Sequence, residues 1–464
     1  MRAKYFFMKG TDQPALQDIA SPLRTATNWR QVNLPMQLFP LDTISATKKS
    51  SPVRNRIAAE DRSFHDWYRF VLSFPPHLVR EFLGREFCIE PGQTVLDPFC
   101  GTGTTIVEAK KLRYSAIGFE RHPMSRFAAR VKTDWEGDGT QLKRSAELAL
   151  TSAERILRMA EPSELKFSKD QWDLLLADCI SPKPLKRILA LKRAIHDAFD
   201  PIHEPYALLA LATTTVGCAS NLHFGPEVGV RGRKADAPVF EDWKDTILKF
   251  ATDLESARRA HIDPPCTVYQ VDARDPSALP PNSVHAVFTS PPYPNEKDYT
   301  RTTRLESVLL GFIRDKQALR ETKQGLLRSN TRTVYKDDDD DAFVANNGRV
   351  EAIANEIEAT RIQLGKTSGF ERLYARVTRL YFGGMARHLA NLRTALAPGA
   401  NLGYVVGDQA SFFKVHIPTA ELLAEIAVQL GYAHVETRIF RTRIATATKK
   451  QMEEHILWLR WPGA

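Results

Sequence analysis

The chain has no run of about eighteen apolar residues, so no segment is long enough to cross a membrane as a helix. The stretch Met1–Lys9 has too short an apolar core for a signal peptide, and a cytoplasmic location is the expectation. Cysteine is sparse and odd in number, with five residues at 88, 100, 179, 218 and 266 and no CxxC pair. That excludes a disulfide framework and a zinc ribbon, and predicts reduced, mostly buried thiols. His65, His77 and His223 lack metal-ligand spacing and read as structural, so no metal site is expected. Gly365-Lys366-Thr367 is no phosphate-binding loop, because Thr360 stands where that loop needs its first glycine. Internal repeats are also absent.

What is present is a globular chain of 464 residues with an excess of positive charge. A hydrophobic content of 43% and a charged content of 26% suit a large core, as two to three structural units or one domain with big insertions. The formal charge is +9, and setting aside the five acids Asp337–Asp341 leaves +14 for the rest. A basic surface raises affinity for polyanions without specifying a sequence, which makes nucleic acid the leading partner. The aspartate run itself has acids at calcium-loop spacing, but Ala342 replaces the required glycine and Gly348 the closing glutamate. It reads as an exposed acidic loop that repels DNA from a wrong approach.

Residues 1–60 carry Thr, Ser, Pro and Lys/Arg without sustained period and read as an irregular arm. Residues 61–134 hold a helical stretch broken at Ser73-Phe74-Pro75-Pro76, and then a compact βαβ unit. Its strands are Thr94–Asp97 and Tyr114–Glu120, and its helix is Thr104–Leu112. Residues 135–262 read as a helical insertion, with segments Gln141–Met159, Pro184–Phe199 and Phe240–His261 and an exposed loop over Gly229–Lys234. Residues 263–464 resume the sheet with Thr267–Asp272, Val284–Ser290, Leu402–Asp408, His434–Arg441 and His455–Trp461, around a basic helical region at 301–397. The count is seven strands in an α/β chain whose sequential strand–helix–strand unit predicts a parallel sheet.

Chemistry concentrates at strand ends. In Asp97-Pro98-Phe99-Cys100-Gly101-Thr102-Gly103-Thr104 two glycines stand where a strand becomes a helix, which lets backbone approach a ligand and aims helix N–H groups at it. Glu120, ending the next strand, suits the two hydroxyls of a ribose. Ile106 stands where a dinucleotide fingerprint needs Gly or Ala, so the turn fits a nucleoside better than a pyrophosphate. The other strand end is Thr289-Ser290-Pro291-Pro292-Tyr293, a rigid hydrogen-bonding edge where open α/β sheets bind ligands.

These residues together resemble the S-adenosylmethionine-dependent DNA amino-methyltransferases, which modify the exocyclic amine of cytosine or adenine. Asp97–Thr105 is similar to motif I of that family, and Ser290-Pro291-Pro292-Tyr293 to motif IV. Glu120 matches the acid of motif II, Asp272 the acid of motif III, and Phe74-Pro75-Pro76 the motif X that completes the methionine pocket. The resemblance covers most of 60–130 and 265–460. It implies a seven-stranded Rossmann-like methyltransferase sheet with a helical insertion, and S-adenosylmethionine as cofactor. The cofactor would be held by Phe74, Pro75, Asp97, Phe99, Gly101, Gly103, Thr104, Glu120 and Asp272. The base would be held by Ser290, Pro291, Pro292 and Tyr293, after leaving the duplex. Ser290, where adenine-modifying relatives more often have Asp or Asn, implies N4 of cytosine. Methylation of the cytosine ring carbon needs a cysteine nucleophile, and Cys266 reads as a core thiol.

The implied partner is double-stranded DNA, a cognate restriction endonuclease is compatible with the family, and no membrane is involved. Two stretches compete for sequence recognition. One is the loop with Arg231, Arg233 and Lys234. The other follows Tyr293, where Arg301, Arg304, Arg314, Lys316, Arg320, Lys323, Arg328, Arg332 and Lys336 outnumber Glu306, Asp315 and Glu321 for a balance of +6. Three other readings use the same residues: an N6-adenine DNA methyltransferase, an RNA N2-guanine methyltransferase, and a cofactor-binding but inactive DNA-binding module.

Overall fold

The computed structural model describes residues 58, 61–69, 73–161, 163–225, 227–295, 297–444 and 451–463. The arm expected over residues 1–60 lies almost wholly outside them.

Seven strands form one sheet: β1 (Thr94–Asp97), β2 (Ser115–Phe119), β5 (Cys266–Tyr269), β6 (Val284–Thr289), β7 (Leu396–Gly407), β8 (Ala433–Ile444) and β9 (Gln451–Arg460). Their order is β5-β2-β1-β6-β7-β9-β8. The first five run parallel, and β9 runs antiparallel to both β7 and β8. The chain winds outward from β1 to β2 and β5, then restarts on the other side with β6 and β7. The gap between the carboxyl ends of β1 and β6 is therefore the topological switch point, where such sheets leave room for a ligand.

Side chains alternate across the sheet as strand geometry requires. Leu96, Val287 and Leu402 face one core with α12 (Gly348–Gln363), α13 (Tyr374–Leu392) and α14 (Thr419–Gln429). Val95, Ala286 and Phe288 face the other core with α1 (Pro76–Glu81) and α2 (Thr104–Lys111). Val95, Leu96, Val287 and Phe288 are fully buried, which stabilises by roughly 1.5–3 kcal/mol for each large side chain. β7 starts six residues before the expected Leu402: Leu396 pairs with Val284, and a bulge containing Gly399 at φ 84° restores register at Asn401.

The insertion consists of α4 (Gly139–Met159), α5 (Lys169–Leu174), α6 (Pro182–Ala198), α7 (Glu204–Thr214) and α8 (Val239–Arg259). Sequence periodicity missed α7, which is apolar almost all round and buried. α4, α6, α7 and α8 share a core with Phe64, Trp67 and Tyr68 and with Leu305 and Leu309, while Leu174 of α5 joins a smaller cluster with Val308 and Ile313. Trp67 stacks on Phe250 at 4.2 Å and donates its indole N–H to Asp253 at 2.7 Å. Residues 229–234 are not wholly irregular, since β3 (Leu222–Phe224) and β4 (Val228–Val230) pair as an antiparallel hairpin. Val228 is buried beneath it, and that apolar anchor turns the glycine-rich stretch into a strand. No helix among the described residues is long and apolar enough to cross a membrane.

The aspartate run does not form the exposed acidic loop that its composition predicts. Asp340 is 3% exposed and accepts from Arg274 and, at 3.2 Å, from Arg387. Asp338 pairs with the buried Arg328 at 2.8 Å. Its carboxylate also accepts the backbone N–H of Tyr335. Asp337 and Asp339 stay exposed, while arginines from other elements let the chain bury Asp340 and half-bury Asp338.

Candidate functional site

β1 ends in Asp97, and the chain turns at once. Gly101 (φ 52°) and Gly103 (φ 91°) adopt the left-handed backbone that glycine tolerates. A Cβ on Gly103 would press on Ala129 at 3.3 Å, so the turn also brings two helices together. Thr104 and Thr105 open α2, and Thr105 donates its hydroxyl to the Phe288 carbonyl at 2.9 Å, tying the turn to β6.

Asp97 is 1% exposed. Its Oδ1 accepts from the Phe99 backbone at 3.2 Å and from the Thr289 hydroxyl at 2.6 Å, while its Oδ2 is buried with no partner. Burial pushes its pKa up to about 7 against those hydrogen bonds. Glu120 takes the His122 backbone N–H at 2.7 Å and a backbone hydrogen bond from Gly101, so its carboxylate leans over the glycine turn. Burial, with Asp97 nearby, pushes it up to about 8. Two acids with raised pKa values thus stand at adjacent strand ends, the pattern of a site built to receive hydrogen-bond donors or a cation.

Across the switch point, β6 ends in Thr289 and leads into Ser290. The Ser290 hydroxyl donates to the Val405 carbonyl of β7 at 3.0 Å, which directs its remaining lone pairs away from that strand. Pro291 is buried and Pro292 half-buried. The Tyr293 ring lies over Gly407 at the end of β7, so closely that a Cβ there would sit 2.7 Å from its Cε2. Its hydroxyl reaches Glu454 at 3.5 Å, and Glu454 is held by Arg441 at 2.6 Å and Arg443 at 3.2 Å.

The other residues singled out from the sequence fall around these two halves. Phe74 meets Phe288 edge to face at 5.8 Å, and Pro75 precedes α1. Phe74, Thr102 and Thr104 line one cleft with Tyr68 and Lys132. Phe99 packs on His388 at 5.0 Å. Asp272 follows β5 and is gripped by Arg274 at 2.6 Å; burial would raise its pKa, but that guanidinium holds it below the ordinary carboxylate range. Arg231 is exposed. Arg233 pairs with Asp178 at 2.5 Å, and Lys234 donates to the Cys218 carbonyl at 2.6 Å. Arg301 lies 3.8 Å from Glu227. Arg304 is spent inside the fold, donating to the Thr300 carbonyl at 2.8 Å and the Leu174 carbonyl at 3.3 Å.

Cys266 opens β5, and burial raises its thiol pKa, which suits a strand residue rather than a nucleophile. His65 is buried against Glu108 at 2.7 Å, with burial pushing its pKa down to about 3, and so acts structurally. Thr289, Thr105 and His388 were not foreseen. His388 donates its Nδ1–H to the Ala273 carbonyl at 2.7 Å, which leaves Nε2 to accept the Tyr404 hydroxyl at 2.8 Å, bracing the segment after β5. Thr289 stood in the motif, but nothing in its spacing pointed to a partner 192 positions away.

Comparison with known proteins shows what this chain is similar to. The N6/N4 methyltransferase family model, described as DNA methylase, matches residues 11–126, and an RMKL-like methyltransferase domain matches residues 88–173. The first match reaches back into residues outside the described part. The chain is 27% identical over 291 residues to the Type II methyltransferase M.BsoBI of Geobacillus stearothermophilus, covering 58% of this chain and 57% of that one. It is 35% identical over 68 residues to M.MjaII of Methanocaldococcus jannaschii, and 34% over 77 residues to M.HindIII of Haemophilus influenzae, both Type II methyltransferases. Those two matches cover 15% and 17% of this chain, and 12% and 23% of the relatives. The chain thus spans little more than half the length of M.BsoBI and less of the other two. The methylase model, these relatives and the seven-stranded sheet together support an amino-methyltransferase of the N4/N6 family.

Proposed function

We propose that the protein transfers a methyl group from S-adenosylmethionine to the exocyclic amine of a base flipped out of double-stranded DNA, with N4 of cytosine as the target. The observation that carries the reading is the Thr289–Asp97 hydrogen bond of 2.6 Å. It locks the glycine-turn half and the Ser-Pro-Pro-Tyr half together at the switch point, so two substrates would meet there.

The residues present fit the cofactor. The partnerless Asp97 Oδ2 suits the cationic amino group of its methionine end, and Glu120 suits its ribose hydroxyls. Gly101 and Gly103 would let it approach the turn closely, Phe74 and Thr104 would hold its methionine end, and Asp272 would hold its adenine. When bound, S-adenosylmethionine supplies an electrophilic methyl group on sulfur.

The protein's own work is on the amine. An exocyclic amine conjugated to its ring is a poor nucleophile because its lone pair is delocalised. Ser290 Oγ, its proton turned toward Val405, accepts one amine hydrogen, and the Pro291 carbonyl accepts the other. Both acceptors draw electron density back to nitrogen. Tyr293, fixed over Gly407, stacks on the base. Rate then comes from positioning and electrostatics without a covalent enzyme intermediate. The Type II names of the relatives fit a role beside a restriction endonuclease.

The test is to incubate the protein with labelled cofactor and duplex DNA or RNA, digest, and identify the product by mass spectrometry. N4-methylcytosine is the expected product. N6-methyladenine would correct the base, and label in RNA alone would overturn the substrate.

A further inference from the structure

The two stretches that competed for sequence recognition meet in space. Lys297, four residues beyond Tyr293, donates its ammonium to the Gly225 carbonyl at 2.7 Å, in the turn joining β3 to β4. Glu227 of the same turn lies 3.8 Å from Arg301 and 3.9 Å from Arg332. The base of the hairpin is fixed independently. Asn221 is buried, accepts the Arg231 backbone N–H on its carbonyl at 3.0 Å, and accepts the Lys234 backbone N–H on Oδ1 at 3.0 Å.

We propose that the β3–β4 hairpin, its arm through Lys234, and the segment bearing Lys297 and Arg301 form one surface that reads the DNA beside the target base. The inference rests on the reading given under Proposed function. A two-stranded ribbon is one of the few elements that enters a major groove. In this ribbon His223 and Glu227 are exposed, and each carries a hydrogen-bonding group suited to base edges. Val228 on the facing side is buried in the protein, so the ribbon has one committed face and one open face. Arg231, Arg233 and Lys234 follow the open face and are exposed, as phosphate contacts must be. The Glu227 pairs are long and Glu227 is 64% exposed, so they are weak enough for Arg301 and Arg332 to exchange them for phosphate. The ribbon is thereby coupled to the loop that holds the base, and the insertion acquires a role in choosing the site.

The test uses the full chain, tritiated cofactor and a pool of duplex oligonucleotides randomised around the methylated base, with sequencing of the methylated fraction. Arg231→Ala should raise the KM for DNA about ten-fold and lower the salt slope by about one at every sequence. Arg231→Lys should restore most of that loss. His223→Ala and Glu227→Gln should relax the preference at a single position by about ten-fold while changing other positions little. Cofactor affinity and melting temperature should match the parent in all four. Parental KM and parental sequence preference in the hairpin variants, with the parent active, would overturn this inference alone. A parent that methylates no DNA would overturn it together with the reading beneath it.

Discussion

Asp97 and Asp340 are both buried aspartates, at 1% and 3% exposure, and the fold treats them in opposite ways. Asp340 meets two arginines and sits against α13, where Gly383 and Gly384 leave it room. Asp97 meets the hydroxyls of Thr289 and Thr105 and a backbone N–H, with no cation, and keeps one oxygen outside any close hydrogen bond. A satisfied buried charge is architecture. A bare one at a strand end on the switch point is a place prepared for something else. Position matters as much as the missing partner, since Glu306 also has a bare Oε2. It lies in the shared core with Tyr68 at 2.5 Å, and burial pushes its pKa up to about 7, so it can hold a proton there instead.

Breaking the satisfied side should cost the most stability. Arg274→Ala leaves Asp272 and Asp340 short of their main cation, and urea unfolding should show a loss of about 3–5 kcal/mol. On the ligand side, Gly407→Ala drives a Cβ into the Tyr293 ring, which should lower turnover by about 10²-fold with cofactor affinity unchanged in calorimetry. Gly383→Ala would overlap the Asp340 carbonyl, and the overpacking should destabilise by about 1–3 kcal/mol without altering cofactor affinity in the folded protein.

The smallest stability effect belongs to Asp97→Asn, which keeps the acceptor for Thr289. Its unfolding free energy should stay within about 1 kcal/mol of the parent. Its mark should appear in binding. A ligand that prefers the ionised carboxylate binds more tightly as pH rises toward the free protein's pKa, about 7 for Asp97, and gains nothing further above it. The parent's cofactor affinity should follow that rise. Glu120, at about 8, extends the window upward, and the Asn variant should lose the Asp97 part of the slope.

Much of this site was legible because it is local. An apolar strand, a two-glycine turn and a helix define β1–α2 within twenty residues, and Ser290–Tyr293 is a contiguous edge. What was not legible depends on distant partners. The basic balance counted over 301–336 left out Asp298 and Asp338, which lie just outside it and pair with Lys323 at 2.7 Å and Arg328 at 2.8 Å. The aspartate run looked solvated because its arginines, 274, 328 and 387, come from other elements. The hairpin was hidden because three-residue strands show too little alternation to register, and it is held by the burial of Val228 and the hydrogen bonds of Asn221.

The division of the site into a cofactor half and a base half is tested most directly by Tyr293→Ala, measured for S-adenosylmethionine affinity and for methyl transfer to DNA. The ring lies over Gly407 at the end of β7, so affinity should stay near the parent while turnover falls by about 10²-fold or more. Near-parental turnover, or a loss of cofactor affinity equal to the loss of turnover, would contradict the account.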